Sequence, residues 1–74
     1  MTQKFDTLVS TVLVVRDGEP YIHALVIAIQ KILSDTVTDY EIVVVDNTSG
    51  DGTVSVLEAL SNELPNLQVY CLSA

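Results

Sequence analysis

Short apolar segments rich in β-branched residues alternate along this chain with longer segments in which apolar residues recur every three or four positions. Three apolar runs predict β-strands, at 8–15, 40–46 and 67–72. Two helices are predicted between them, the first starting near Pro20 and ending at a polar loop over 34–39, the second spanning 53–63. The order β-α-β-α-β predicts a parallel sheet in one α/β domain over residues 1–74.

Each predicted helix has an apolar stripe and a start signal. Asp17 or Gly18 is expected to cap the first helix, and Asp51 complements the dipole of the second. Residues 1–7 are expected to form an irregular terminus. The stripe residues are Ile22, Leu25, Val26, Ile29, Ile32 and Leu33 in the first helix, and Val54, Leu57, Leu60 and Leu64 in the second.

The predicted strands are more apolar than two helices can cover. With strand order 3-2-1, right-handed crossovers put both helices on the same face of the sheet. The continuous apolar runs at 13–15 and 42–45 are nevertheless typical of strands buried on both faces. Each aliphatic side chain left in water forgoes about 1.5–3 kcal/mol. We therefore expect the chain either to be part of a larger α/β domain or to associate through the second face.

Charge and composition exclude several classes of protein. Ten acidic and three basic residues give a net charge of −7, which disfavours binding to nucleic acids and to anionic membranes. The sequence MTQKFD does not read as a signal peptide, and no apolar run reaches the roughly 20 residues of a membrane span. Cys71, the single cysteine, is expected to be a small buried hydrophobe, and His23 a solvated surface residue. These features predict a soluble, cytoplasmic protein.

The segment Tyr40–Thr53, YEIVVVDNTSGDGT, carries the clearest candidate chemistry. Its apolar strand ends at Asp46 and Asn47, and a turn-rich stretch then leads into a helix. Ligands of open α/β sheets bind just beyond the carboxyl ends of strands, so these two residues are candidates for a small-molecule site. The alternative for Asp46 is an aspartate that only shapes the turn before the helix.

Two segments together resemble family 2 glycosyltransferases. Residues 9–19, VSTVLVVRDGE, resemble the family's opening pattern, VSVVIPVYNEE, and Tyr40–Thr53 is similar to its second signature, YEIIVVDDGSTDGT. The resemblance covers nearly the whole chain and corresponds to the first, nucleotide-binding part of the Rossmann-like GT-A fold. It implies binding of a nucleotide-diphosphate-sugar donor, whose sugar is transferred to an acceptor.

In the family, the end of the first strand and the aspartates of the second signature hold the donor's base and ribose. The matching positions here are Val14, Arg16, Asp17, Asp46 and Asn47. A carboxylate at Asp46 accepts hydrogen bonds from hydroxyls, and the Asn47 amide both donates and accepts. Val14, Arg16 and Asp17 replace the usual proline, tyrosine and asparagine, which removes an aromatic platform and adds negative charge near a diphosphate.

The remaining signature residues are expected to shape the turn and start the helix: Ser49, Asp51, Gly52 and Thr53. The family also binds a divalent metal, Mg or Mn, through a DxD motif further along its chain. The 74 residues contain no DxD triplet, and no catalytic or metal-binding residue is assigned. The chain by itself is therefore expected to be inactive as a transferase.

Two other interpretations remain. Residues 47–58 have the spacing of an EF-hand calcium loop, with candidate ligands Asn47, Ser49, Asp51 and Glu58 and with Gly52 at the turn. The strand that enters this loop and the few carboxylates in it oppose calcium binding. The other alternative is a non-catalytic α/β module that oligomerises through its uncovered sheet face.

Overall fold

A computed structural model describes residues 4–72. The chain forms three strands and two helices in the predicted order. The elements are β1 (Phe5–Val15), α1 (Ile22–Thr36), β2 (Val37–Asn47), α2 (Thr53–Glu63) and β3 (Leu67–Leu72). The strands form one parallel sheet with β2 between β1 and β3. The predicted α/β class and the parallel three-stranded sheet are confirmed.

Both helices pack on the same face of the sheet. Ile22 and Val26 of α1 and Leu57 and Leu60 of α2 are buried in one apolar cluster. The strands contribute the residues of this cluster that lie on the covered face: Val15, Ile42, Val44 and Leu67. Because successive side chains on a strand point to opposite faces, this packing leaves every second strand residue on the other side.

The other side of the sheet, called the uncovered face below, is apolar at its carboxyl end. Register pairs Val12 with Val43, and Val14 with Val45 and then Tyr70, so these side chains form adjacent rows. Val12 is 62% exposed and Val14 is 72% exposed. Towards the amino end, the same face carries a polar pair, Ser10 donating a hydrogen bond to the Glu41 carboxylate at 2.6 Å, and then the exposed Leu8. The covered and uncovered faces are therefore both apolar, but only one is packed.

Three predicted boundaries are wrong. β1 begins at Phe5, within the stretch expected to be irregular, while residues 1–3 lie outside the described part. The loop predicted over 34–39 does not form, because α1 continues to Thr36 and β2 begins at Val37. Ser34 and Thr36 keep their hydroxyls bonded to carbonyls one turn back, at Lys31 and Ile32, which lets polar residues occupy the last turn of the helix.

The start of α1 also differs from the prediction. Its N-cap is Tyr21, not Asp17 or Gly18, and Pro20 precedes the helix. The Gly18 carbonyl instead accepts hydrogen bonds from the N–H groups of Tyr21 and Ile22, at 3.0 and 2.8 Å, and so forms a turn that leads into the helix. Asp17 is not available as a cap because its carboxylate is bonded to a different loop.

The predicted apolar positions are only partly buried. Along α1, Ile22 and Val26 are buried, whereas Leu25 is exposed and Ile32 is 62% exposed, because the narrow sheet contacts only one ridge of the helix. Cys71, expected to be buried, is exposed. It lies near the end of the edge strand β3, opposite Asp46, at the tip of the sheet.

Two isoleucines on α1 provide a matched test of this packing. Ile22 is fully buried, so we expect Ile22→Ala to lower the free energy of unfolding by about 2–5 kcal/mol through lost burial and a cavity. Ile32→Ala removes the same atoms from an exposed site and should change it by about 0.5 kcal/mol or less. Urea unfolding followed by circular dichroism measures both. Equal effects would contradict the packing described here.

Candidate functional site

Two loops leave the carboxyl end of the sheet side by side. Residues 16–21 follow β1, and residues 48–52 follow β2. The last paired residues of these strands, Val15 and Asp46, are neighbours across the sheet. Parallel pairing therefore brings together two segments that are more than 30 residues apart in sequence, and it does so where open α/β sheets bind their ligands.

Four hydrogen bonds join the two loops, and we call this set the loop ladder. Asp17 and Glu19 each donate through the backbone N–H and accept through the carboxylate. The bonds run from Asp17 N–H to Ser49 Oγ (2.8 Å), from Gly50 N–H to Asp17 Oδ1 (2.7 Å), from Glu19 N–H to Asp51 Oδ2 (3.2 Å) and from Gly52 N–H to Glu19 Oε1 (2.9 Å). The two loops consequently form one connected unit.

Asp46 lies at the strand tip but faces the covered side of the sheet. It is 2% exposed, in the same alternation as the buried Ile42 and Val44. Its Oδ2 accepts a hydrogen bond from the Ser49 N–H at 3.2 Å, and its Oδ1 accepts one from the Ser49 hydroxyl. This geometry is that of a turn-shaping aspartate, the alternative that the sequence left open.

The other four candidate residues are exposed but do not all share a face with Asp46. Val14 belongs to the uncovered face, and Asn47 follows its alternation at the end of β2. Arg16 and Asp17 lie in the first loop. The structure links Asp17 to Asp46 through the Ser49 hydroxyl, which accepts from the Asp17 N–H and donates to the Asp46 carboxylate. Val14 and Asn47 lie on the other side of the sheet from this hydrogen-bonded link between Asp17, Ser49 and Asp46.

Both loops contain a residue in the left-handed region of backbone conformation. The φ angles are 54° at Asp17 and 57° at Thr48. Aspartate tolerates this region, whereas a β-branched threonine is strained by roughly 1–2 kcal/mol. The Thr48 hydroxyl donates to the Leu72 carbonyl at 3.1 Å, which ties the strained residue to β3. Strain of this kind, held by neighbouring bonds, is concentrated at functional loops.

The start of α2 is stabilised by Asp51. Its Oδ1 accepts hydrogen bonds from the N–H of Thr53, at 3.0 Å, and from the Thr53 hydroxyl. Thr53 itself is fully buried. The bond from the Thr53 hydroxyl is the main cause that holds the pKa of Asp51 below its ordinary value of 3.8. Asp51 therefore serves the helix start and the loop ladder at once, through different oxygens.

Sequence reasoning assigned no site role to Glu19 and gave Ser49 only a part in shaping the turn. Both belong to the loop ladder, and Ser49 also anchors Asp46. The feature of the sequence that could have indicated a role for Glu19 is its place at the last position of the segment that resembles VSVVIPVYNEE. Its partner is 33 residues away, so no local pattern identifies the contact.

A separate cavity of about 260 Å³ lies near the start of β3, away from the two loops. Tyr40, Ile42 and Leu67 line it from the sheet, and Leu64 and Pro65 line it from the turn after α2. The Tyr40 hydroxyl there accepts a hydrogen bond from the Gln30 amide at 3.1 Å. This cavity is distinct from the site predicted at the strand tips.

The model of the glycosyl transferase family 2 matches residues 10–73, which include both loops and all five elements in whole or in part. The chain belongs to glycosyltransferase family 2. A search of curated proteins gave no match. The family assignment agrees with the two sequence segments that the structure brings to one edge of the sheet. The observed architecture is consistent with part of the family's Rossmann-like GT-A fold.

The divalent metal used by family 2 glycosyltransferases does not fit the carboxylates of this site. Between residues 4 and 72, no group of three or more His, Cys, Asp or Glu side chains is arranged to hold a metal ion. Asp17, Glu19, Asp46 and Asp51 instead accept hydrogen bonds from backbone amides and hydroxyls. The calcium-loop alternative also lacks the entering helix of an EF-hand, because β2 leads into the loop.

No helix within the described range of this glycosyltransferase-family chain is long and apolar enough to cross a membrane.

The depressed pKa of Asp51 predicts a contribution to stability that depends on pH. A carboxyl group whose pKa is lower in the folded state stabilises the fold above its unfolded value, and the contribution is lost as the pH falls through the folded value. We expect wild type to exceed Asp51→Asn in free energy of unfolding at neutral pH, with the difference shrinking below about pH 3.8. Urea unfolding at a series of pH values measures it.

The control for this experiment is Asp35→Asn, which removes one negative charge from an exposed position at the end of α1. A difference between wild type and Asp51→Asn that stayed constant from pH 7 to pH 2.5 would contradict the assignment.

Proposed function

We propose that this chain provides donor binding for sugar transfer, holding the nucleoside diphosphate of a nucleotide-diphosphate sugar against the two loops at the carboxyl end of the sheet. The observation that supports it is the loop ladder. Both segments that resemble the family's signatures end at the same edge of a parallel sheet, and four hydrogen bonds join them there. Membership of glycosyltransferase family 2 supplies the ligand class.

The proposal gives each candidate residue a role that follows from its chemistry and exposure. Asn47 pairs with the edge of the base, since its amide offers both a donor and an acceptor. The Asp17 oxygen that is not in the loop ladder accepts from ribose hydroxyls. Arg16 is the only basic residue in either loop, and its guanidinium suits a diphosphate oxygen pair. Val14 offers an apolar contact on the same face of the sheet as Asn47.

Asp46 has an indirect role in this arrangement. Its carboxylate is buried and bonded twice to Ser49, so it orients the loop that follows Asn47. Direct contact between the Asp46 carboxylate and a nucleotide-sugar donor requires the Ser49 hydroxyl to rotate away first. The transfer step itself is not assigned to any residue of the chain, because the 74 residues contain no DxD triplet for the diphosphate metal.

Asn47 provides the sharpest test of donor binding. We expect uridine or guanosine diphosphate to shift the amide NMR signals of residues 16–19 and 47–52. Loss of one or two hydrogen bonds in Asn47→Ala, each worth about 0.5–1.5 kcal/mol, should weaken affinity by roughly 2- to 150-fold. Asn62→Ala is the matched control, since Asn62 is exposed near the far end of α2. Equal affinity in both variants, or no shift with either nucleotide, would refute the proposed site.

The uncovered face supports a second candidate function, association with another copy of the chain. Five apolar side chains of this face are each more than half exposed: Leu8, Val12, Val14, Tyr70 and Leu72. An apolar patch on a sheet flanked by two open edges is the kind of surface that promotes pairing between chains. The net charge of −7 opposes close approach of two copies.

Sedimentation equilibrium at increasing protein concentration tests this second function. If association uses the uncovered face, Val12→Asp should shift the distribution to monomers, because it places a charge among the apolar side chains of this face. Ile32→Asp is the matched control, with the same 62% exposure on the helix side of the molecule. Wild type that remains monomeric at several hundred micromolar would exclude the association function while leaving donor binding untouched.

A further inference from the structure

The loop ladder extends the pairing of β1 and β2 beyond the end of the sheet. Val15 and Asp46 are the last residues in register. Past them, Asp17 bonds in both directions with residues 49–50, and Glu19 bonds in both directions with residues 51–52. The contacts thus repeat every second residue on each loop. Side-chain oxygens replace backbone carbonyls in this extension, which is why it depends on residue identity.

We propose that Glu19 is a positioning residue for donor binding, which fixes the shape of the loop after Asn47 by accepting a hydrogen bond from the Gly52 amide. This inference rests on the proposed function and adds a residue to it. Glu19 acts as a hydrogen-bond acceptor in this role, and its negative charge contributes nothing to binding. A nearby negative charge repels a diphosphate. The carboxylate therefore favours binding only through the position in which its hydrogen bond holds the loop.

The contact between Glu19 and Gly52 leaves no room for a Cβ atom at position 52 unless the Glu19 carboxylate moves. A Cβ atom built on Gly52 would lie 2.6 Å from Oε2 of Glu19 and 2.8 Å from its Cδ. Any larger residue at position 52 therefore pushes the carboxylate away. The equivalent atom on Gly50 would lie 3.8 Å from Oδ1 of Asp17, which is ordinary contact. A methyl group at position 52 would therefore displace the Glu19 carboxylate, whereas one at position 50 would displace nothing.

The strained residue Thr48 explains why fixing this loop matters. Thr48 joins Asn47, at the end of β2, to the ladder residues and has a φ angle of 57°. An unrestrained threonine leaves the left-handed region, and residues 49–52 would then move relative to Asn47. The ladder holds the far side of the strained residue, and Glu19 supplies the bond most distant from the sheet.

Four variants separate a positioning role from a charge contact. Glu19→Ala removes the acceptor, and we expect it to weaken nucleoside diphosphate binding by about 2- to 10-fold. Glu19→Gln keeps an acceptor oxygen without the charge and should bind as tightly as wild type, or more tightly. Gly52→Ala displaces the carboxylate while leaving Glu19 in place, so it should behave like Glu19→Ala. Gly50→Ala, whose added methyl group makes only ordinary contact, should leave the hydrogen bond between Gly52 and Glu19 intact.

Isothermal titration with uridine and guanosine diphosphate measures these affinities on the whole chain, and Glu58→Ala controls for loss of an exposed carboxylate. Urea unfolding of each variant confirms that it is folded at the temperature used. The chain has three glycines, so selective ¹⁵N-glycine labelling gives one amide signal each for Gly18, Gly50 and Gly52. Hydrogen exchange at Gly52 should accelerate in Glu19→Ala and not in Glu19→Gln, with Gly18 as internal reference.

Each result has a definite reading. Weaker binding in Glu19→Ala and Gly52→Ala, restored in Glu19→Gln, supports the positioning role. Wild-type affinity in Glu19→Ala overturns it, and so does a Glu19→Gln variant as weak as Glu19→Ala. If wild type binds neither nucleotide, the proposed function fails and the donor-positioning role fails with it. Glycine exchange in that case still shows whether the Glu19 contact forms, which keeps the two failures distinguishable.

Discussion

The packing of two helices against a single face of the sheet is the interaction on which the rest of this structure depends. Residues from all three strands and both helices meet in one apolar cluster. A chain of 74 residues has little core to spare, since small domains bury only about 60% of their unfolded surface. Parallel strands also need crossovers, and each helix here provides one. Without the cluster, nothing would bring the ends of β1 and β2 together.

The loops at the carboxyl end inherit their arrangement from this packing. Parallel pairing of β1 with β2 puts Val15 beside Asp46, and each loop then leaves the sheet in the same direction. Acidic side chains on one loop meet backbone amides on the other, which satisfies N–H groups that no secondary structure pairs. In an acidic chain with a net charge of −7, amides and hydroxyls are the available partners for these carboxylates.

The same packing that forms the core also leaves the uncovered face. Along β1 and β2, every second apolar residue packs against the helices on the covered side. The residues between them lie on the uncovered face. Most of the apolar side chains of this face lie in the carboxyl half of the sheet, close to the loops, while Ser10 and Glu41 separate them from Leu8 in the amino half. A donor site and an association surface would therefore meet at one end of the molecule, with Val14 and Asn47 at the boundary.

The sequence by itself determined the order of the elements, the limits of α2 and β3, the excess of apolar strand residues and the place of Asp46 and Asn47 at the end of β2. These follow from local periodicity, turn residues and the alternation of side chains, all of which act over a few positions. The tertiary structure alone decided that Asp46 is buried and hydrogen-bonded to Ser49, that Cys71 is exposed, and that Glu19 accepts a hydrogen bond from Gly52. Some of these contacts join residues that strand pairing brings together, and others depend on where the helices stop covering the sheet. Neither strand pairing nor the extent of helix packing can be read from the order of residues within a short segment.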